Sequence, residues 1–188
     1  YHHRFNEHWS MASAIEMPSA TYTTLPNASE NIKQRIPDLP SYIQYEWNDG
    51  KSHIRLSNLF RFLSYRNLME GKNKYVIGLA SQLSGMIAFS PRITFYYQAA
   101  YGHGYADYLN DLGSLGYDLI PDGDNGKLKA PYALGIVGGL QYNLCKNFFV
   151  SASYSQCRLY DQASLSDSAY KYGQYVVANA FYTPFNNC

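Results

Sequence analysis

The chain is short of charge. Asp, Glu, Lys and Arg make up 15% of its 188 residues, against about 25% in an ordinary soluble domain. Its 15 basic residues nearly cancel its 14 acidic ones, so no net field favours nucleic acid or a strongly acidic partner. Long apolar runs are missing as well. The best window, Tyr75 to Pro91, is uncharged but broken by Ser81, Gln82, Ser84 and Gly85. It falls at the short end of the roughly 17 to 25 residues a spanning helix needs. The first residues, YHHRFNEHW, lack the basic stretch and apolar run of a secretory signal, as a processed or truncated chain would. Cysteine is scarce: Cys145, Cys157 and Cys188 have no metal-ligand spacing and leave at least one thiol unpaired.

Catalytic patterns are absent too. His2, His3, His8, His53 and His103 form no helical pair with a glutamate and no zinc spacing. There is no Gly-x-Ser-x-Gly, and the GHG at 102–104 is too short for a nucleotide loop. Glu16 and Glu46 could form a carboxylate pair, but alternation alone does not bring them within reach. The expectation is a protein that is not an enzyme and carries no metal or cofactor.

What the chain has is tyrosine, 20 of them, with 14 glycines. Hydrophobic residues reach 46%, yet mean hydropathy is slightly negative, so much of the apolar content is aromatic and amphipathic. Period-two alternation recurs at Trp9 to Met17, Ser41 to Trp47, Lys51 to Tyr65, Tyr75 to Phe89, Ile93 to Tyr101, Pro131 to Asn143 and Phe148 to Gln156. Strands of roughly 9 to 11 residues cross a bilayer at a tilt. Short connections with turn chemistry (Asn6-Glu7, Asn48-Asp49-Gly50, Ser90-Pro91, Lys146-Asn147) alternate with long ones at 18–39, 66–74, 102–130 and 161–169. A meander sorts these to opposite ends, as outer-membrane barrels do. Trp47, Tyr75, Phe89, Tyr101, Tyr132, Tyr142 and Phe148 fall near strand ends, where interfacial girdles sit. The predicted fold is all-β: a transmembrane antiparallel up-and-down barrel, with residues 1–188 forming eight or nine strands of a single larger barrel domain. The alternative is a soluble β-barrel or sandwich that binds ligands through Tyr- and Gly-rich loops. The side taken by the apolar face separates the two.

Strand parity assigns side chains to the lumen. Ile54, Leu56, Phe60 and Phe62 share one face of their strand, so His53, Arg55, Ser57 and Arg61 point the other way. The same parity places Arg92, Gln98, Glu16, Glu46 and Arg4 inward. An arginine on the lipid face costs roughly 2 to 4 kcal/mol at the midplane, and a row of inward guanidiniums would attract anions. Alternatively, these charges pair with acids and hold the wall together. The connection at 102–130 carries Asp107, Asp111, Asp118, Asp122 and Asp124. At about 29 residues it exceeds an idle loop, and it either folds inward to narrow the pore or lies over the mouth. Its PDGDNGK segment has Asp-x-Asp spacing but lacks the full calcium ligand set and closing Glu.

Three stretches, YGHGYADYLNDLGSLGYDL, LGIVGGLQYNLCKNFFVSASYSQ and YGQYVVANAFYTPF, resemble the DcaP-like trimeric porins of Gram-negative bacteria. HHRFNEHWSMASAIEMP resembles that family's middle strands. Asn179 and Pro184 match its late Asn and Pro, whereas Asn143-Leu144-Cys145 replaces a His-Phe-Trp turn. The resemblance implies an outer-membrane barrel of about sixteen strands, even-numbered as such barrels are, whose first and last strands lie outside this chain. It also implies a homotrimer in outer-membrane lipid and passive uptake of small hydrophilic, often anionic, solutes.

Overall fold

The computed structural model describes residues 1–162 and 165–184. Its strands are β1 (His2–Arg4), β2 (Trp9–Ser13), β3 (Ser29–Asn31), β4 (Leu39–Trp47), β5 (Ser52–Asn67), β6 (Lys72–Ser90), β7 (Ile93–His103), β8 (Ile120–Pro121), β9 (Leu128–Lys129), β10 (Tyr132–Cys145), β11 (Phe148–Leu159) and β12 (Tyr172–Tyr182). A single-turn 3-10 helix covers Ala106–Tyr108. Nine strands pair antiparallel in the order β1-β2-β4-β5-β6-β7-β10-β11-β12, with β3 added to β5. The up-and-down meander is as expected. The closed barrel is not formed by these residues: β1 and β12 are the free edges of an open sheet.

Two strand expectations need correction. The connection at 66–74 is not a long loop, because β5 and β6 run on to Asn67 and Lys72 and leave a four-residue turn. The extension is stabilised by a second core: Leu63 and Tyr65 pack with Leu119 and Leu128 of the long connection. The strand at Trp9 to Met17 ends at Ser13; beyond it only a bridge joins Glu16 to Asp38. At the other end the turns are tight. Asn48, Asp49 and Gly50 all take left-handed φ (58°, 54° and 78°), which Asn, Asp and Gly tolerate best.

The two faces of the sheet differ. One presents Leu56, Ile77, Leu79, Leu83 and Leu140, each more than 40% exposed. Aromatic pairs border it: Trp9, Tyr45 and Trp47 cluster at the turn end, with centroids 4.9 and 5.8 Å apart. Tyr101 stacks on Tyr132 at 5.5 Å toward the loop end. The other face is covered. The connection at 104–131 lies on it, and Tyr105, Ala106, Leu109 and Leu112 pack with Leu59, Ala80, Ala100, Ala133 and Leu159. Small residues make that approach possible. Gly78 and Gly104 touch so closely that a Cβ built on Gly104 would lie 3.0 Å from the Gly78 Cα, and Gly104 has a left-handed φ of 67°.

Candidate functional site

The covered face carries rows of side chains that the pairing registers fix. One row runs Arg4, Ser10, Gln44, Arg55, Ser84, Gln98, Val137. The next, toward the turns, includes Glu46, His53, Met86 and Tyr96. Here the polar groups meet. Arg55 Nε donates to Gln44 Oε1 at 2.6 Å, its guanidinium sits 4.1 Å over the Tyr42 ring, and the Gln44 amide donates to the Glu46 carboxylate. Arg4 lies 3.6 Å from Glu46, while Gln98 donates to Gln82 at 3.1 Å. Arg92 is elsewhere. It stands exposed in the two-residue turn between β6 and β7, before β7 begins at Ile93, so strand parity does not reach it.

Arg61, six residues along β5 from Arg55, has an environment the alternation does not reveal. Its side chain is fully buried. Nε donates to Asp38 Oδ2 at 3.0 Å, Nη1 donates to the Gly104 carbonyl at 2.9 Å and lies 3.0 Å from Asp118 Oδ2. Nη2 donates to the Ser19 carbonyl. One wall residue thus ties down both the 14–38 and the 104–131 connections. It presents no free charge to a lumen.

Acids outnumber that guanidinium. Asp118 Oδ1 accepts the Asp107 N–H at 3.2 Å, and Asp107 Oδ1 accepts the Thr21 hydroxyl at 2.7 Å and the Ser114 N–H at 3.0 Å. Burial pushes the Asp118 carboxyl up to about 7; Arg61 opposes the shift and the Asp107 charge adds to it. The Tyr108 hydroxyl lies 3.1 Å from Glu16 Oε2 and 3.2 Å from Asp38 Oδ2, one proton between two carboxylates. Burial, and then the Asp38 charge, raise the phenol well above its ordinary value, so it stays a donor. Asp38 Oδ1 is buried with no hydrogen-bond donor among the described residues.

The remaining loop acids separate. Asp111 accepts from the Tyr170 hydroxyl at 3.1 Å, Asp122 lies 3.8 Å from Lys129 Nζ, and Asp124 is exposed. The PDGDNGK segment is a turn closing β8 on β9, with the Asp122 N–H donating to the Lys127 carbonyl at 2.9 Å. Among the described residues no cluster of His, Cys, Asp or Glu is arranged to hold a metal ion. Cys145 is exposed and Cys157 buried, both as free thiols; Cys188 lies outside the described residues.

Between the wall and the inward connection runs a cleft of about 550 Å³. Leu59, Ala80 and Ala100 form its floor, Tyr105 and Leu109 its roof, and Glu16 is the one carboxylate on its lining. The sequence reading included Glu16 but missed Asp38 and Tyr108. Asp38 sits in Pro37-Asp38-Leu39-Pro40, where no periodicity marks it. The available signal was Arg61 itself, since a guanidinium buried under a 29-residue connection (roughly) requires an acid partner.

No family model matches the chain, and no curated protein matches it in sequence. Among solved structures, the outer membrane channel DcaP of Acinetobacter baumannii superposes with a TM-score of 0.76 at 17% identity. The alignment covers 99% of this chain and 51% of that channel, so the chain spans about half that channel's length. The chain has a DcaP-like porin fold over that half. No helix among the described residues is long and apolar enough to cross a membrane, which says nothing of crossing by strands.

Proposed function

We propose that this chain is part of the wall of an outer-membrane porin, a water-filled channel for passive diffusion of small hydrophilic solutes, narrowed by the 104–131 connection. One observation carries the reading. The uncovered face is the apolar one, with Leu56, Ile77, Leu79, Leu83 and Leu140 exposed between aromatic borders, while Arg61 and its partners Asp38 and Asp118 lie on the covered face. In water such an apolar patch is a liability; in hydrocarbon it is the expected outer surface of a barrel. A soluble binding module would bury that face and leave the polar one outside.

The open edges at β1 and β12 would strand backbone donors and acceptors in lipid, so closure requires further strands. Assembly as a homotrimer belongs to this proposal and rests on the family resemblance. So does ionic preference, now narrowed. Arg61 is neutralised, Arg92 lies in a turn, and Arg4 shares Glu46. An anion bias falls to Arg55, which has no carboxylate partner among the described residues.

Trp9 and Trp47, both on the outward face at the turn end, report the test. Reconstitution of the full-length protein into vesicles with brominated acyl chains is expected to quench their emission, and Trp9→Phe with Trp47→Phe is expected to abolish the quenched component. A protein soluble without detergent, with unquenched tryptophans, would contradict the reading.

A further inference from the structure

The outward face is not uniform across the sheet. The registers fix one outward row as Leu56, Leu83, Ala99, Ile136, Gln156 and Gln174. The row is apolar from β5 to β10 and turns to amides at β11 and β12. One row nearer the turns, Tyr154 stands beside Val176 on the same two strands. The three polar side chains are linked. The Gln174 amide donates to the Tyr154 hydroxyl at 3.0 Å, and that hydroxyl donates to Gln156 Oε1 at 3.4 Å. Both ends of this chain are open among the described residues: the Gln156 amide N–H groups have no acceptor, and the Gln174 carbonyl has no donor.

These groups stand at an apolar depth. The outward row above them holds Tyr101, Leu134 and Arg158, and there Arg158 lies 4.9 Å over the Tyr160 ring. Tyr101 belongs to the aromatic border, where a polar head meets water. Gln156 and Gln174 are two residues deeper, ~6 Å along the strand, and Tyr154 is deeper again. Leu56 and Leu83 show what the rest of the wall places at the depth of the amides. Lipid tails offer an amide no hydrogen bond, and an unpaired one is costly there.

A second copy of the chain supplies what lipid does not. Insertion holds all copies at one depth with the same end outward, so the amide tier of one copy meets the amide tier of its neighbour. The open donors of Gln156 and the open acceptor of Gln174 are complementary across such a contact. The sheet also thins where the amides are: another outward row runs Ile87, Phe95, Leu140, Ala152, Ala178, losing its bulk at β11 and β12. Within lipid, association depends on close packing and hydrogen bonds, not on hydrophobicity.

We infer that the outward face of β11 and β12 is the surface through which copies of this chain associate in the membrane, with Gln156, Gln174 and Tyr154 at its polar centre. The leucine-rich face of β5 to β7 meets lipid instead. The inference rests on the porin reading, which puts the outward face in the bilayer, and adds to it the strands that make the contact.

The test is sedimentation equilibrium of the full-length protein in density-matched detergent. Wild type is expected to sediment above the monomer mass. Gln156→Leu with Gln174→Leu makes this face more lipid-like, which suits a barrel wall, yet it is expected to raise the dissociation constant about tenfold, the ratio for a pair of hydrogen bonds within a membrane. Ala152→Trp is expected to separate the copies by bulk, and Leu83→Trp, equally outward on β6, to leave them associated. A monomeric wild type would overturn the proposal. So would an assembly unchanged by both β11–β12 variants, or one that only Leu83→Trp dissociates. Single-channel recordings keep the two readings apart. Association that depends on Gln156 and Gln174 without any conductance would support the contact and contradict the channel; a conducting wild type that sediments as a monomer would do the reverse.

Discussion

Arg61 on the β5 wall and Asp118 on the long connection lie 3.0 Å apart, and neither side chain is exposed to solvent. With Asp38 on the opposite side of the guanidinium, this pairing makes the inward connection part of the wall. Removing the cation leaves two buried carboxylates uncompensated, a loss on the order of 3 to 5 kcal/mol. Arg61→Met is therefore expected to release the 104–131 segment while the sheet survives. Limited proteolysis in detergent should cut wild type slowly and the variant rapidly within that segment, and unit conductance should rise. Equal cutting would mean that the ion pairs do not hold the loop.

Acid should strengthen the docking of the same segment, with Asp118 taken up in its neutral form. In an unfolded chain the Asp118 carboxyl titrates at about 3.9; docked, it titrates at about 7. Between these values the docked form holds the extra proton, so docking is strongest below about pH 4 and weakens as pH rises through 7. Arg61 from β5, Asp107 from the same connection and Tyr22 from the 14–38 connection face this group, with Asp38 on the other side of the shared guanidinium. Amide exchange of residues 104–131, corrected for intrinsic rates, should show protection falling across that window. Asp118→Asn should flatten the profile; an unchanged profile in that variant would assign the slope to another group.

The close approach of Gly78 and Gly104 gives a backbone prediction. Gly104→Ala introduces a Cβ 3.0 Å from both the Gly78 Cα and Leu63 Cδ1 at a left-handed φ of 67°. The expected cost exceeds ~1 kcal/mol, with loop release resembling that of Arg61→Met. Gly123→Ala, also at positive φ but with nothing within 4 Å, should leave loop docking intact. If both variants behave alike, the contact with the wall is not what constrains Gly104.

Charge selectivity separates the two arginines of β5. Arg55→Ala should shift the reversal potential of the full-length protein in a salt gradient toward cations, because among the described residues that guanidinium has only Gln44 and the Tyr42 ring as partners. Arg61→Met should act on conductance instead. A reversal potential insensitive to Arg55→Ala would end the anion-bias reading.

The strands were legible because alternation survives wherever one face meets an apolar phase. Residues from Ile54 to Phe62 and from Tyr75 to Leu83 fall on the predicted faces in register. The tight turns were legible from Asn, Asp, Gly and Pro. What alternation cannot encode is which distant segment covers a face. The β5–β6 hairpin looked short because Arg66 to Lys74 is polar, yet Leu63 and Tyr65 are buried by Leu119 and Leu128 from over fifty residues away. Parity placed Arg61 on the correct side but not under a roof, since Asp38 and Asp118 reach it from irregular segments. It did not reach Arg92, which lies in the turn just before β7. Closure of the sheet is likewise not encoded in any one strand.

Single-channel recording of the full-length protein in planar bilayers tests the central claim most directly. The account predicts discrete conductance steps that remain ohmic at low voltage and grow when Arg61→Met frees the inward connection. Protein inserted into the bilayer that gives no steps, or steps indifferent to that substitution, would contradict a channel wall narrowed by residues 104–131.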